Sequence, residues 1–448
     1  MVVGRLTQAL NRPLDAASVA AFRALFGALL LGSTLRFFVH DWVRQFYGVP
    51  KHFFPYWGFG WVQPLPLPAM YALYAMIGGA ALCLMLGIAA RPAAALAALA
   101  FGYAHFCDKA NYLNHYYLIT LLLGLLACLP VDREFSLRVV RRPSERRGQV
   151  RAWVLYLLRF QIGVVYVFGG LAKLNADWLM HAEPLRIWLS ANAELPILGR
   201  ILNEPWAGML FSWCGALFDL CVVPLLLFRV TRAPAYAALL LFHVLTALLF
   251  RIGMFPWMMI LNATIFWSPC WPRGLLERLA GSPRPLPSGV CGAPLEGTRR
   301  GLIGVYVASQ ILLPLRSALY PGNTLWSEEG FRFAWKVMLV EKAGSLEFEV
   351  EERAGRRYSV SPQQYLTPFQ ARMAATQPDM ILELAHWIAR DAAKRAGSPV
   401  RVYADSEVSF NGRLRRRLID PTQDLASIED GLSPKSWILP APTDSPAF

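Results

Sequence analysis

Long apolar runs dominate the first 320 residues, and after Tyr320 the pattern changes to short stretches of alternating apolar and polar residues. Runs near 19–39, 68–90, 92–107, 115–130, 153–172, 207–228, 234–250, 254–269 and 301–319 each read as a membrane helix, although several fall short of the ~20 residues a simple span needs. Beyond them, Phe331 to Val340, Ser345 to Glu352 and Arg356 to Val360 alternate and are separated by Gly344 and Gly355, which predicts a strand meander. Helices are predicted near 363–377 and 379–395, the second with Ile381, Leu384, Ala385 and Ile388 on one face. Strands near 399–409 and 413–419 complete this part. The expected fold is mainly α: a polytopic membrane helical bundle of about nine spans over 1–320, with an extramembrane α+β domain over 321–448 on its outer mouth.

Composition agrees. With 55% hydrophobic residues, 15 Trp and 26 Phe among 448, the chain is too apolar for one soluble core. A net charge of +14 raises the question of nucleic acid, but the arginines collect in alternate loops. Arg133, Arg138, Arg141, Arg142, Arg146, Arg147 and Arg151 follow the fourth run; Arg229 and Arg232 follow the sixth; Arg273, Arg278, Arg284, Arg299 and Arg300 follow the eighth. The positive-inside rule places these loops and the N-terminus in the cytoplasm, and an odd number of spans then puts the C-terminal domain outside. A lipid-binding patch is compatible with the 133–151 cluster, and nucleic acid is not an expected partner. The first run carries Arg23 and Arg36 and has no small-residue cleavage site behind it, so it reads as an uncleaved anchor. Seven cysteines without a CxxC pair imply neither a disulfide framework nor a zinc site. Cys83, Cys128, Cys214 and Cys221 fall in apolar runs and read as packing residues. The Pro/Gly/Ser-rich loop 281–297 reads as flexible.

The chemistry-bearing residues gather at the outer ends of the runs. Lys173 closes the fifth run within Gly169-Gly170-Leu171-Ala172-Lys173-Leu174-Asn175-Ala176-Asp177-Trp178. A lysine at that depth either extends its head to the interface or is desolvated and acts as a base. Asn114 and His115 open the fourth run on the same side, Arg251 ends the seventh, and His243 lies deeper within it. Such convergence under a soluble domain favours an active site.

Several stretches resemble vitamin K-dependent gamma-glutamyl carboxylases. They are Asp108 to Tyr117; Arg159 to Gly163 continuing through Lys173 to Trp178; Phe242-His243 with Leu249 to Phe255; Gly330 to Leu339; Asn411-Gly412-Arg413 with Ile419-Asp420-Pro421; and Ser436-Trp437-Ile438. The transmembrane part resembles the horizontally transferred transmembrane domain.

The resemblance implies that Lys173 is the base that deprotonates a reduced naphthoquinone. Oxygen addition then yields a strong base that removes a glutamyl γ-proton, CO2 traps the carbanion, and the quinone leaves as an epoxide. An ordinary lysine is charged at neutral pH, so this role needs burial. His115 matches the histidine associated with carbanion formation, with Asn114 orienting its ring or donating to substrate; the alternative is a hydrogen-bonded histidine at a helix start. His243 is weaker as a site residue, because Thr246, Ala247 and Leu248 replace an expected polar run. Arg251 and Arg186 can attract carboxylate or bicarbonate, or serve as interfacial arginines. Trp178 is a cofactor wall or an interfacial anchor. Trp326 and Trp335 match aromatic positions of the family, Lys342 sits where a basic residue is expected, and Asp108 pairs with Lys109 or caps its loop. The cofactor implied is reduced vitamin K or a related naphthoquinol, with O2 and CO2 as co-substrates and no metal. The partners are the lipid bilayer and a glutamate-rich polypeptide, and the expected location is a bacterial cytoplasmic membrane. Longer members have a further propeptide-binding domain, which the sequence given does not include. A quinol oxidase or epoxidase without protein carboxylation, and a non-catalytic binding, transport or immunity protein, remain as other readings.

Overall fold

The computed structural model describes residues 2–196, 198–250, 252–282 and 286–446. Among the described residues, nine apolar helices build the bundle: α1 (Ala17–Val39), α2 (Leu67–Leu86), α3 (Ala90–Phe106), α4 (Asn114–Cys128), α5 (Ala152–Ala172), α6 (Pro205–Leu227), α7 (Arg232–Leu249), α8 (Phe255–Ala263) and α9 (Gly297–Leu315). Among the described residues six are long and apolar enough to cross a membrane, namely α1, α2, α5, α6, α7 and α9 with its 3₁₀ extension to Leu319. The chain is thus an integral membrane protein. The expected count of nine is not reached by length, because α3 has 17 residues, α4 has 15, and α8 has 9 before it tightens into a 3₁₀ turn.

Helix ends inside the bundle are closed by buried arginines. Arg23 of α1 donates to the carbonyls of Leu84 and Met85 at the end of α2 and to those of Val131 and Phe135 beyond α4. Arg159 of α5 does the same for Ile265, Phe266 and Trp267. These satisfy carbonyls that lipid could not.

At one end, strands β1 (Pro13–Asp15), β2 (Gln149–Arg151) and β3 (Val290–Cys291) form a small sheet. It joins the N-terminal segment to two of the arginine-rich loops that the charge pattern placed on one side, and it pins Val290 and Cys291 of the loop that reads as flexible. Many of the arginines there are paired: Arg273 with Asp15 and Glu134, Arg146 with Glu134, and Arg138 with Asp132 and Glu145.

The C-terminal part sits at the other end. Strands β4 (Lys342–Glu351), β5 (Arg357–Val360), β6 (Arg401–Phe410) and β7 (Arg416–Arg417) form a sheet in the order β5-β4-β6-β7, and helices α10 (Pro368–Ala374) and α11 (Pro378–Ala396) accompany it. α11 buries the predicted stripe of Ile381, Leu384, Ala385 and Ile388. Thr367 caps α10 reciprocally with Gln370.

The first predicted strand is a correction. Phe331 to Val340 forms no strand, because Phe333, Trp335 and Met338 take left-handed backbone conformations with φ of 62°, 54° and 54°. Such values break strand alternation, and for these side chains they persist only when the surroundings impose them. Here the Tyr112 hydroxyl accepts from the Phe333 amide at 2.7 Å, and the Asn114 amide donates to the Lys336 carbonyl at 3.0 Å. The segment is pressed against the start of α4, with Trp335 stacked on Tyr117 at 4.9 Å.

Candidate active site

Lys173 lies one residue past α5 and is 6% exposed, so its ammonium does not reach the interface. Its Nζ donates to Oδ2 of Asp219 at 2.7 Å and faces the Gly169 carbonyl at 3.3 Å. The Trp178 ring lies 5.2 Å from it. Asp219 is the sole acid in α6 and is itself buried. Its approach depends on glycine: a Cβ at Gly170 would lie 2.8 Å from Leu220, and one at Gly163 would lie 3.2 Å from Val223. Small residues seven apart on α5 therefore let α6 close in and bring Asp219 to Lys173.

The rest of the motif serves the same geometry. Asn175 caps a short turn by accepting from the Trp178 amide at 3.0 Å, which folds Trp178 back into the bundle. There its indole donates to the Ser212 carbonyl at 2.8 Å, and the ring becomes a buried wall and not an interfacial anchor. Asp177 accepts a two-pronged bond from Arg413 at 2.6 and 2.9 Å and a further bond from Asn411. The lysine motif and the Asn411-Gly412-Arg413 motif are thus two halves of one contact between bundle and cap.

Lys173, Asp219 and Trp178 line a cavity of about 380 Å³ with Tyr166, Phe218, Phe242, His243, Phe250, Phe255 and Met338. His243 bonds the Tyr166 hydroxyl at 2.8 Å, and its Nδ1 is buried without a partner among the described residues. A second cavity of about 360 Å³ is lined by Ser33, Arg36, Trp42, Asn114, His115, Tyr116 and Met254. The two share Phe255, Val337 and Met338, so the irregular 331–340 segment supplies part of the partition between them. His115 makes ring contacts with Tyr116 at 4.8 Å and Phe255 at 6.2 Å.

The structure therefore groups Lys173, His243 and Trp178 in one cavity and His115 with Asn114 in its neighbour. Asn114 does not orient the imidazole: its amide nitrogen holds the Lys336 carbonyl and its oxygen accepts from Tyr112. Trp335 lines neither cavity and packs instead in the bundle core, with its indole nitrogen unpartnered among the described residues. Arg251 lies outside the described residues. Trp326 belongs to the core of the capping domain, and Lys342 pairs with Glu328 at 3.0 Å. Sequence reading missed Asp219 and Arg36. A lone carboxylate inside an apolar helix was the available signal for the first.

Asp108 and Lys109 do not pair with each other. Asp108 caps its turn through the Ala110 amide and accepts from Gln370 at 2.9 Å. Lys109 reaches into the cap to Asp379 at 3.1 Å and Glu383 at 3.0 Å, where Arg332 meets Asp379 at 2.7 Å. Burial pushes Glu383 up to about 7, against the pull of Lys109. Burial also raises Asp379, but the charges of Arg332 and Lys109 outweigh it and hold that carboxyl well below the usual range.

Comparison with known families finds two matches. Residues 11–271 match the HTTM domain, and residues 296–444 match the lumenal domain of vitamin K-dependent gamma-carboxylase. No solved structure matches the chain. The first match spans more than half of the chain and contains both cavities' helices up to α8, while the second contains the partition segment and the cap. By these two matches, in order along one polypeptide, the chain belongs to the vitamin K-dependent gamma-carboxylase family.

Proposed function

We propose that this protein is a membrane carboxylase that couples oxygenation of a reduced naphthoquinone to carboxylation of glutamyl side chains. The observation that carries this reading is the pair of adjacent cavities, one holding Lys173 with Asp219 and the other holding His115, divided by Phe255, Val337 and Met338. A two-part reaction needs two reacting centres close together and shielded from water.

The first cavity suits a naphthoquinol. Its volume falls in the ~300–1,000 Å³ range of small-molecule sites, and aromatic side chains meet a few convergent polar groups there. Lys173, Asp219 and His243 with its unpartnered Nδ1 are those groups. When bound, the quinol supplies with O2 the strong base that removes the γ-proton. Lys173 can accept the quinol's proton only after losing one of its own, and the Asp219 carboxylate 2.7 Å away is placed to take it. In a low-dielectric site the neutral pair competes with the ion pair, because neither charge is then left desolvated. Trp178 and the surrounding phenylalanines keep water away from that exchange.

In the second cavity His115 would face the glutamyl side chain and act in forming or capturing its carbanion. We further propose that all nine helices cross the membrane, with the cap on the outer side. Successive helices return alternately to the β1-β2-β3 end and to the cap end, and the short α4 and α8 bury much of their surface within the bundle.

The test supplies purified protein with reduced naphthoquinone, O2, labelled bicarbonate and a glutamate-containing peptide, and follows epoxide and fixed label separately. Both products are expected in the same incubation. Epoxide without fixed label would reduce the reading to quinol oxygenation alone, and neither product would overturn it.

A further inference from the structure

The second cavity contains a cation without a counter-charge among the described residues. Arg36, in the last turn of α1, lines it together with Ser33, Trp42, Asn114 and His115. The guanidinium lies 5.1 Å from the centre of the Trp42 ring and makes no hydrogen bond or ion pair among the described residues. Three buried arginines are satisfied by contrast: Arg23 by four carbonyls, Arg159 by three, and Arg413 by both oxygens of Asp177. A half-buried guanidinium that faces a cavity with its donors unused departs from the rule that such groups find partners. His115 beside it has ring contacts and makes no hydrogen bond among the described residues.

We infer that Arg36 anchors a carboxylate-type anion in this cavity, next to His115. The planar fork of a guanidinium matches two oxygens of one carboxylate, which a lysine cannot do. Stacking on Trp42 restricts the plane of the fork before any ligand arrives, so less freedom is lost on binding. The same contact has a chemical consequence. Removing a proton from the carbon beside a carboxylate builds a second negative charge on that group, and a fixed cation at its oxygens stabilises the charge as it develops. Two ligands share this chemistry, the glutamyl side chain of an acidic peptide and bicarbonate. The choice of these two rests on the carboxylase reading; the anion site itself rests on the unpaired guanidinium.

The experiment measures equilibrium binding to the purified full-length protein in lipid nanodiscs. The probes are a fluorescent peptide with one central glutamate, the same peptide with glutamine, and bicarbonate as competitor. Wild type should prefer the glutamyl peptide, and Arg36→Gln should weaken that binding by about tenfold or more while leaving the glutaminyl peptide unchanged. Arg36→Lys, which keeps the charge and loses the fork, should fall between them; it carries the test if Arg36→Gln does not fold. If peptide binding is unchanged but bicarbonate displaces it from wild type and not from Arg36→Gln, the site stands with bicarbonate as its ligand. If the Arg36 variants match wild type toward every probe, including no binding by any of them, the inference is overturned. Failure of the carboxylase reading looks different: wild type would bind the glutamyl peptide through Arg36 yet fix no label. Conversely, normal carboxylation by Arg36→Gln with an unchanged KM for peptide would remove Arg36 and leave the reading intact.

Discussion

Asp219 changes what Lys173 can do. An isolated lysine in this cavity would need to shed its proton to a bound ligand or to water, whereas a carboxylate at 2.7 Å gives that proton a fixed destination. Asp219→Asn removes the destination and keeps the size. Epoxide formation should fall by ~10² to 10⁴, the usual contribution of a positioned proton acceptor, with the fold retained by circular dichroism. Activity within about twofold of wild type would show that the pair is structural. Sequence reading singled out Lys173, His115, His243 and Trp178, which line the two cavities, because each stands in a motif or at a helix end. It missed Asp219, since one acid among 23 residues of α6 gives no hint of which lysine it faces. Only the packing of Gly163 and Gly170 against Val223 and Leu220 makes that pairing.

Among the elements, long apolar runs located the bundle helices and periodicity located the amphipathic α11, because a lipid-facing or buried surface leaves a direct trace in the residue pattern. The segment 331–340 misled for the same reason: it alternates like a strand, yet Tyr112 and Asn114 from another element bend it into left-handed turns. The β1-β2-β3 sheet was illegible, since strands of two or three residues carry no period. The contact between the Lys109 loop and α11 carries a pH dependence of definite sign. Glu383 titrates near 7 when folded and near 4.5 when unfolded, so between those values the folded state holds a proton that the unfolded chain has released. Docking is therefore weakened as pH rises through that window. Asp108, pushed up to about 6 by burial, adds the same sign at lower pH. Asp379 acts oppositely and only in acid, because its carboxyl is depressed and its contribution is lost as pH falls below about 3.8. Hydrogen exchange across Pro378–Ala396, corrected for intrinsic rates, should show weaker protection at pH 8 than at pH 5.5. Glu383→Gln should flatten the difference; an equal slope in that variant would assign the effect elsewhere.

At the scale of the whole molecule, three contacts lock bundle and cap together. The Lys109 loop, the Asp177 turn and the 331–340 segment each join the two parts, and the last of these also divides the two cavities. The cap therefore shapes the site as well as covering it. The proposed topology is tested at the same scale: single cysteines placed at 145 and at 429 in a cysteine-free background should react with an impermeant label from opposite faces of oriented vesicles. Labelling of both from one face would refute the odd number of crossings.

The division of labour between the cavities is the central claim, and the two variants Lys173→Ala and His115→Ala test it most directly when epoxide and fixed label are measured in the same incubation. Lys173→Ala should lose both products, because proton acceptance in the first cavity precedes everything in the second. His115→Ala should lose carboxylation by at least about tenfold more than it loses epoxide. A folded Lys173→Ala protein that forms both products at the wild-type rate, or a His115→Ala protein whose two products fall in equal proportion, would contradict the account.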